Sequence, residues 1–253
     1  MKHTQHERAT FGSSLGVILA SAGSAIGLGN IWRFPYETGQ NGGAAFLLIY
    51  ILSVLLLGLP VLMTEFFIGR TARSNPAGAF RKLAPGSHWQ LVGYNGVLAA
   101  VLILGFYGVV AGWTLEYIWQ SLDGTIAATG SSEAFTRDFE NFSSSLFRPV
   151  LWMAVFMIMT HVIIVSGVKK GIEKYSKIMM PLLFVILLVL CLRSVTLPGA
   201  VEGLRFLFKP DFGKITSEVV LSAVGQAFFS ISVGMGCMIT YASYFGKETD
   251  IQK

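Results

Sequence analysis

The stretch Ala22-Gly-Ser-Ala-Ile-Gly-Leu-Gly-Asn30 decides how the rest of this 253-residue chain is read. It lies in a run without Asp, Glu, Lys or Arg from 9 to 32, long enough to cross a bilayer as a helix, and Gly23, Gly27 and Gly29 interrupt it. Glycine loosens a helix and permits positive φ, so the run is predicted to unwind there. Ser230-Ile-Ser-Val-Gly-Met-Gly236 repeats the cluster in a second charge-free run, 219–246, with Gly234 and Gly236 spaced like Gly27 and Gly29. Unwound backbone at bilayer depth is tolerated only around a cavity or inside protein. It frees carbonyls for a cation and leaves half-helix N-termini for an anion. Close packing through small residues is the alternative for either cluster alone. Asn30, Ser230 and Ser232 favour the ion-binding reading, because they add side-chain oxygens beside the two clusters.

Working outward, four more charge-free gaps run 38–64, 83–115, 149–168 and 178–192. All but the last reach the roughly 20 residues a transmembrane helix needs, and Tyr175, Ile178, Met179 and Met180 extend the last. Six transmembrane helices are therefore expected, in an all-α integral membrane protein. The composition agrees: 53% of residues are hydrophobic and 13% charged, against roughly 25% charged in soluble domains. That excludes a disordered chain or an ordinary water-soluble one. The net charge of +5 does not imply a nucleic-acid partner, because the basic residues sit in short loops between apolar runs. Cys191 and Cys237 lie far apart in apolar runs and define neither a disulfide framework nor a metal site.

Orientation follows from those loops. Segments 70–82 (Arg70, Arg73, Arg81, Lys82) and 169–177 (Lys169, Lys170, Lys174, Lys177 against Glu173) are basic, whereas 122–148 carries four acids against Arg137 and Arg148. Basic loops stay in the cytoplasm, which places the N-terminus inside a cell membrane. Segment 193–214, with Arg193, Arg205, Lys209 and Lys214, disagrees with that rule yet must lie outside. A cleaved signal peptide fits poorly, since the first run is too long and continues into Arg33-Phe-Pro35.

Particular motifs add a resemblance. Gly27-Leu-Gly-Asn-Ile-Trp-Arg-Phe-Pro35, Asn41-Gly-Gly-Ala44, Glu65 to Gly69-Arg70, Trp113-Thr-Leu115, Gly225-Gln-Ala-Phe-Phe-Ser230 and Tyr241-Ala-Ser-Tyr244 together resemble the neurotransmitter:sodium symporter family, and its bacterial amino-acid transporters most. The resemblance implies the first half of an inverted-repeat, leucine-transporter-type fold with broken first and sixth helices. Segment 1–11 is then the cytoplasmic N-terminus and 12–197 the first five-helix repeat. An extracellular loop follows over 198–216. Segment 217–246 is the broken sixth helix, which opens the second repeat, and 247–253 is a cytoplasmic end beyond which the family's second half is absent.

The resemblance also implies roles. A first sodium site would take the carbonyl of Ala25, the side chain of Asn30, and the hydroxyl and carbonyl of Ser230. A second would take the carbonyls of Gly23 and Ile26, with its remaining ligands in the absent half. An amino-acid substrate would present its carboxylate to the amides of Leu28 and Gly29 and to the hydroxyl of Tyr107, for which a packing tyrosine is the alternative. Gly27 stands where monoamine carriers have Asp, which points to amino acids. Ala25, Ile103, Phe229, Ser230, Ser232, Gly234 and Met235 complete the substrate surroundings and imply a hydrophobic or aromatic side chain. Arg33 and Phe229 match the outer gate and lid, with the acidic partner of Arg33 expected in the absent half. Arg8 and Phe11 match the inner gate, Phe11 replacing the usual Trp. Gly171 and Pro181 match a Gly-x9-Pro unwinding signal, with an ordinary proline near a helix start as the alternative. Tyr50, Gln226 and Ser230 match chloride-coordinating positions, but the fourth is absent, so chloride dependence stays open. Glu65 is read as pairing with Arg or with backbone donors.

The implied function is sodium-coupled symport by alternating access, with the lipid bilayer and the missing C-terminal half, in the same or a partner chain, as partners. A non-transporting binding or regulatory half-protein that needs a partner chain is the rival. An enzyme is not expected, since His161 stands alone in its apolar run with no accompanying nucleophile or carboxylate pair.

Overall fold

The computed structural model describes residues 14–246, and all of the described structure is helical or irregular, without strands. Arg8 and Phe11 lie outside the described residues. Two compact units are formed among the described residues: one takes in the chain up to Ala99 and from Val168 onward, the other Ala100–Gly167.

The first unit holds both broken helices. Helix α1 (Ser14–Ala25) ends in a bend at 26–27, a π-helical turn covers Gly29–Arg33, and α2 (Phe34–Gln40) continues. Helices α3 (Ala44–Ser53) and α4 (Leu59–Ala72) are joined through a second π turn, Val54–Gly58, into one apolar span, Ala44–Ala72. A short α5 (Pro76–Leu83) follows, started by Pro76 and by Asn75, whose side chain accepts from the Gly78 N–H at 2.7 Å. After a third π turn, Val168–Glu173, comes α10 (Lys174–Val195), then α11 (Ala200–Phe208), and finally α12 (Ser217–Ser230) and α13 (Cys237–Ala242). The second unit carries most of α6 (Gln90–Leu122), with α7 (Thr125–Ala128), α8 (Ser132–Ser144) and α9 (Arg148–Val165).

Among the described residues, four helices are long and apolar enough to cross a membrane: Ala44–Ala72, Gln90–Leu122, Arg148–Val165 and Lys170–Val195. Six spans were expected. The two remaining charge-free runs, 9–32 and 219–246, are interrupted, and among the described residues no helical piece in either reaches spanning length on its own. Pro181 does not interrupt α10, which runs unbroken through it; the irregularity lies at the π turn that contains Gly171. Segment 198–216, expected as a loop, contains helix α11.

The two halves of the sixth helix pack in different places. Val219 and Ala223 of α12 join Phe46 in a buried cluster flanked by Phe34, Ile49 and Tyr50. Ile239 of α13 joins Ala72 and Ala79, flanked by Ile68 and Phe80. Each half therefore buries its own apolar face, and the segment between needs no helix to hold it. Gly58, at the end of the second π turn, meets that segment: a Cβ there would lie 2.5 Å from Cδ1 of Ile231.

Within the second unit, Glu116 of α6 is fully buried and accepts from Arg148 Nη2 at 2.6 Å, from Gln120 Nε2 at 2.7 Å and from the indole N–H of Trp152. A buried carboxylate survives only when paired and hydrogen-bonded. These bonds tie α6 to α9, where Gly112 lets the two backbones approach, a Cβ there falling 2.7 Å from the Met153 nitrogen.

Candidate functional site

The two breaks are built differently. Among the described residues, the break in the sixth helix uses left-handed backbone: Ser232, Gly234 and Gly236 have φ of +55°, +84° and +73°. None of Gly23, Gly27 and Gly29 has positive φ, so the expectation of left-handed glycines holds for one break only. The first helix instead widens into its π turn, a distortion often found at functional sites. Its glycines serve close approach. A Cβ on Gly29 would lie 2.5 Å from the Phe229 ring, and one on Gly23 would lie 3.3 Å from Met180 Sδ.

At the meeting of the breaks, Asn30 Nδ2 donates to the Ala25 carbonyl at 2.6 Å and approaches the Ser230 carbonyl at 3.5 Å. Ala25, Asn30 and Ser230, expected as first-site ligands, thus converge, Asn30 and Ser230 from 200 positions apart in sequence. Gln226, fully buried, donates from Nε2 to the Gly29 carbonyl at 3.0 Å and to Ser230 Oγ at 3.1 Å. Asn30 Oδ1 and Gln226 Oε1 are both buried without a hydrogen-bond partner. An amide's two ends have nearly the same shape. Turned over, Asn30 would set Oδ1 against two carbonyl oxygens, an arrangement that repels unless a cation lies among them. The oxygen-only donor set and the orphaned Oδ1 fit a hard monovalent cation such as sodium, and none of the donors carries a formal charge of its own.

The expected gate residues also meet. The guanidinium carbon of Arg33 stands 5.3 Å from the Phe229 ring centroid, a cation–π contact. Arg33 also pairs with Glu37 at 3.3 Å, so an acid of this chain partners it. Gly27 accepts at its carbonyl from the Asn30 and Ile31 N–H groups at 3.0 and 3.1 Å. The Gly234 N–H donates to Glu65 Oε1 at 2.6 Å, the backbone-donor option for Glu65, and fixes the unwound segment to α4. Met235 passes close to Gly96, its carbonyl carbon 3.2 Å from where a Cβ would stand. Tyr50 packs its ring 4.7 Å from Phe34. Gly23 and Ile26 stand at the end of α1, where Ile26 N–H donates to the Ala22 carbonyl at 2.7 Å. Ile103 and Tyr107 lie on α6 in the second unit.

Sequence reasoning passed over Glu37 and Glu116. Glu37 is the first acid after the first apolar run and reads as a helix-surface residue four positions from Arg33; only its contact with α12 distinguishes it. Glu116 sits at the end of a charge-free run, where an acid reads as a helix-end residue facing water.

Spanning apolar helices and two paired breaks that meet at a cluster of converging oxygens define a multi-pass helical membrane protein. The chain belongs to the Sodium:neurotransmitter symporter family, whose model matches residues 8–141 and 128–253. It is similar to the sodium-dependent transporter YhdH of Bacillus subtilis (strain 168), 45% identical over 95% of this chain and 53% of that protein. It is also similar to the sodium-dependent neutral amino acid transporter B(0)AT2 of Bos taurus, 30% identical over 96% of this chain and 37% of that one. A crystal structure of MhsT in complex with L-phenylalanine aligns with a TM-score of 0.91 at 51% identity, over 96% of this chain and 55% of that chain. The likeness to that structure fixes the fold as the leucine-transporter type. The chain spans about half the length of the bacterial relative and of MhsT.

Proposed function

We propose that the protein containing this sequence is a sodium-coupled symporter of a hydrophobic or aromatic amino acid, working by alternating access with its N-terminus in the cytoplasm. The observation that carries this reading is the convergence of the Ala25 and Ser230 carbonyls on the side-chain amide of Asn30, whose Oδ1 is buried without a hydrogen-bond partner. Sodium, when bound there, supplies the positive charge that a substrate carboxylate needs at that depth. Asn30 and Ser230 bring it oxygens from both broken helices, and Gln226 keeps Ser230 Oγ in place. The backbone of Leu28 and Gly29 offers amides to the carboxylate, and Tyr107 its hydroxyl. Phe229, stacked under Arg33 and against Gly29, closes over the substrate as a lid. Gly27 puts no acid beside the substrate's amine, which disfavours decarboxylated amines. Ser232, Gly234 and Met235 border the side-chain pocket, with Ile103 assigned to it by the family resemblance alone, and methionine adapts to differently shaped apolar groups. The 51%-identical MhsT, solved with L-phenylalanine, supports the same substrate class. Gly23 and Ile26 contribute to a second sodium site, the π turn at Gly171 together with Pro181 opens a release path at the inner end, and Arg8 with Phe11 forms the inner gate.

Competition by the twenty amino acids against radiolabelled L-phenylalanine, with the full-length protein in sodium buffer, tests the substrate class. Leucine, isoleucine, methionine, tyrosine and tryptophan are expected to displace the label. Preference for glycine, proline or a charged amino acid would contradict it.

A further inference from the structure

Glu37 takes part in more than its pair with Arg33. Its Oε2 accepts from Ser222 Oγ at 2.7 Å and from Asn41 Nδ2 at 3.1 Å, while Oε1 faces Arg33 at 3.3 Å. The carboxylate is largely withdrawn from solvent, its side chain 18% exposed. Ser222 belongs to α12 and Glu37 to α2, so this one carboxylate bridges the outer halves of both broken helices. A hydroxyl bonded to a carboxylate is charge-assisted, stronger than a neutral pair, and shielding from water preserves it.

The sodium-site residues stand at the inner ends of these same segments. Asn30 precedes Glu37 by two helical turns, about 10 Å along the axis, and Ser230 follows Ser222 by slightly more, about 12 Å. We propose that Glu37 and Ser222 form a latch that sets the spacing of α2 and α12, and through it the positions of Asn30 and Ser230 around sodium. The proposal rests on the sodium-site reading above. Both residues are positioning residues: neither reaches the ion. Gln226 ties the helices together beside the site, and the latch ties them farther out, about one turn along α12 and about two along the first helix. Two ties along one helix pair fix an angle as well as a distance, which a single tie cannot do. Phe34 and Phe46, packed with Val219 and Ala223, add non-directional contact between them.

The test uses the full-length protein, purified and monodisperse, with sodium exchanged for choline at constant ionic strength. Ser222→Ala is expected to raise the sodium concentration for half-maximal L-phenylalanine binding about tenfold, the equivalent of one charge-assisted hydrogen bond. Ser222→Thr, which keeps the hydroxyl, is expected to restore the original value. A second readout needs neither sodium nor substrate. Spin labels at Gly39→Cys and Glu218→Cys, both exposed on the outer half-helices, report the distance between them. In sodium-free buffer Ser222→Ala is expected to broaden that distribution, and Ser222→Thr to keep it narrow. An unchanged sodium requirement in folded Ser222→Ala protein overturns the latch, as does an unchanged distance distribution. Binding by the unsubstituted protein that ignores sodium would instead defeat the sodium-site reading, and the distance measurement would then decide the latch alone.

Discussion

The sodium site proposed at Asn30, Ala25 and Ser230 is assembled from uncharged groups. A buried, unpaired carboxylate would cost several kcal/mol, whereas carbonyl and amide oxygens lose far less on leaving water. Asn30 and Ser230 were legible in the sequence because polar side chains beside glycine clusters inside apolar runs have few other uses, whereas Ala25 entered only through the family resemblance. Glu37 was not legible, because an acid four positions after an arginine on a helix is ordinarily a weak, solvated pair. Its meaning depends on Ser222, 185 positions away. Gly29 carries the sharpest prediction at this scale. A methyl group there would lie 2.5 and 2.7 Å from two carbons of the Phe229 ring, so ring or backbone must shift. Gly29→Ala is expected to weaken L-phenylalanine binding ten- to a hundredfold, the range of about 1–3 kcal/mol seen for overpacking. Isothermal titration in saturating sodium measures it, and unaltered affinity would mean that Phe229 does not cap the site.

The broken helices were predicted from glycine spacing, and both exist. Their construction was not predicted, because glycine in a sequence signals either freedom of φ or closeness of a neighbour, and the letters do not say which. In the sixth helix it is φ, at Gly234 and Gly236, with Ser232 sharing the left-handed backbone. In the first it is proximity, at Gly23 and Gly29. Gly69 repeats the second use where the inner half of the sixth helix docks. A Cβ there would run into the carbonyl oxygen of Ile239 and reach within 2.9 Å of the Ala242 methyl. Neither the carbonyl nor α4 can retreat without loosening the Ala72–Ala79–Ile239 cluster. Gly69→Leu is expected to lower the apparent melting temperature sharply, by on the order of 3 kcal/mol of stability or more. Fluorescence-detected size-exclusion after a heating series checks this, and a melting profile like that of the unsubstituted protein would contradict the close packing of α13 on α4.

Across the whole molecule, charge-free runs predicted six spans, and four of them are continuous helices long and apolar enough to cross a membrane among the described residues. The other two runs, 9–32 and 219–246, hold the breaks, and a helix that presents backbone oxygens to an ion, as proposed for these two, cannot also be a long uninterrupted one. The chain divides into a unit holding both breaks and a unit braced by Glu116, Arg148 and Trp152. The brace escaped sequence analysis because Glu116 and Arg148 stand at the ends of apolar runs, where charges ordinarily meet water. The central claim, that Asn30 and its neighbours hold sodium for an amino acid carried alongside, concerns the complete transporter, of whose relatives this chain spans about half. The most direct test is L-phenylalanine binding to the full-length protein with sodium replaced by choline. The account predicts that affinity collapses in choline and recovers with sodium, and that phenylalanine raises sodium affinity by the same factor. Equal phenylalanine affinity in sodium and in choline would contradict it.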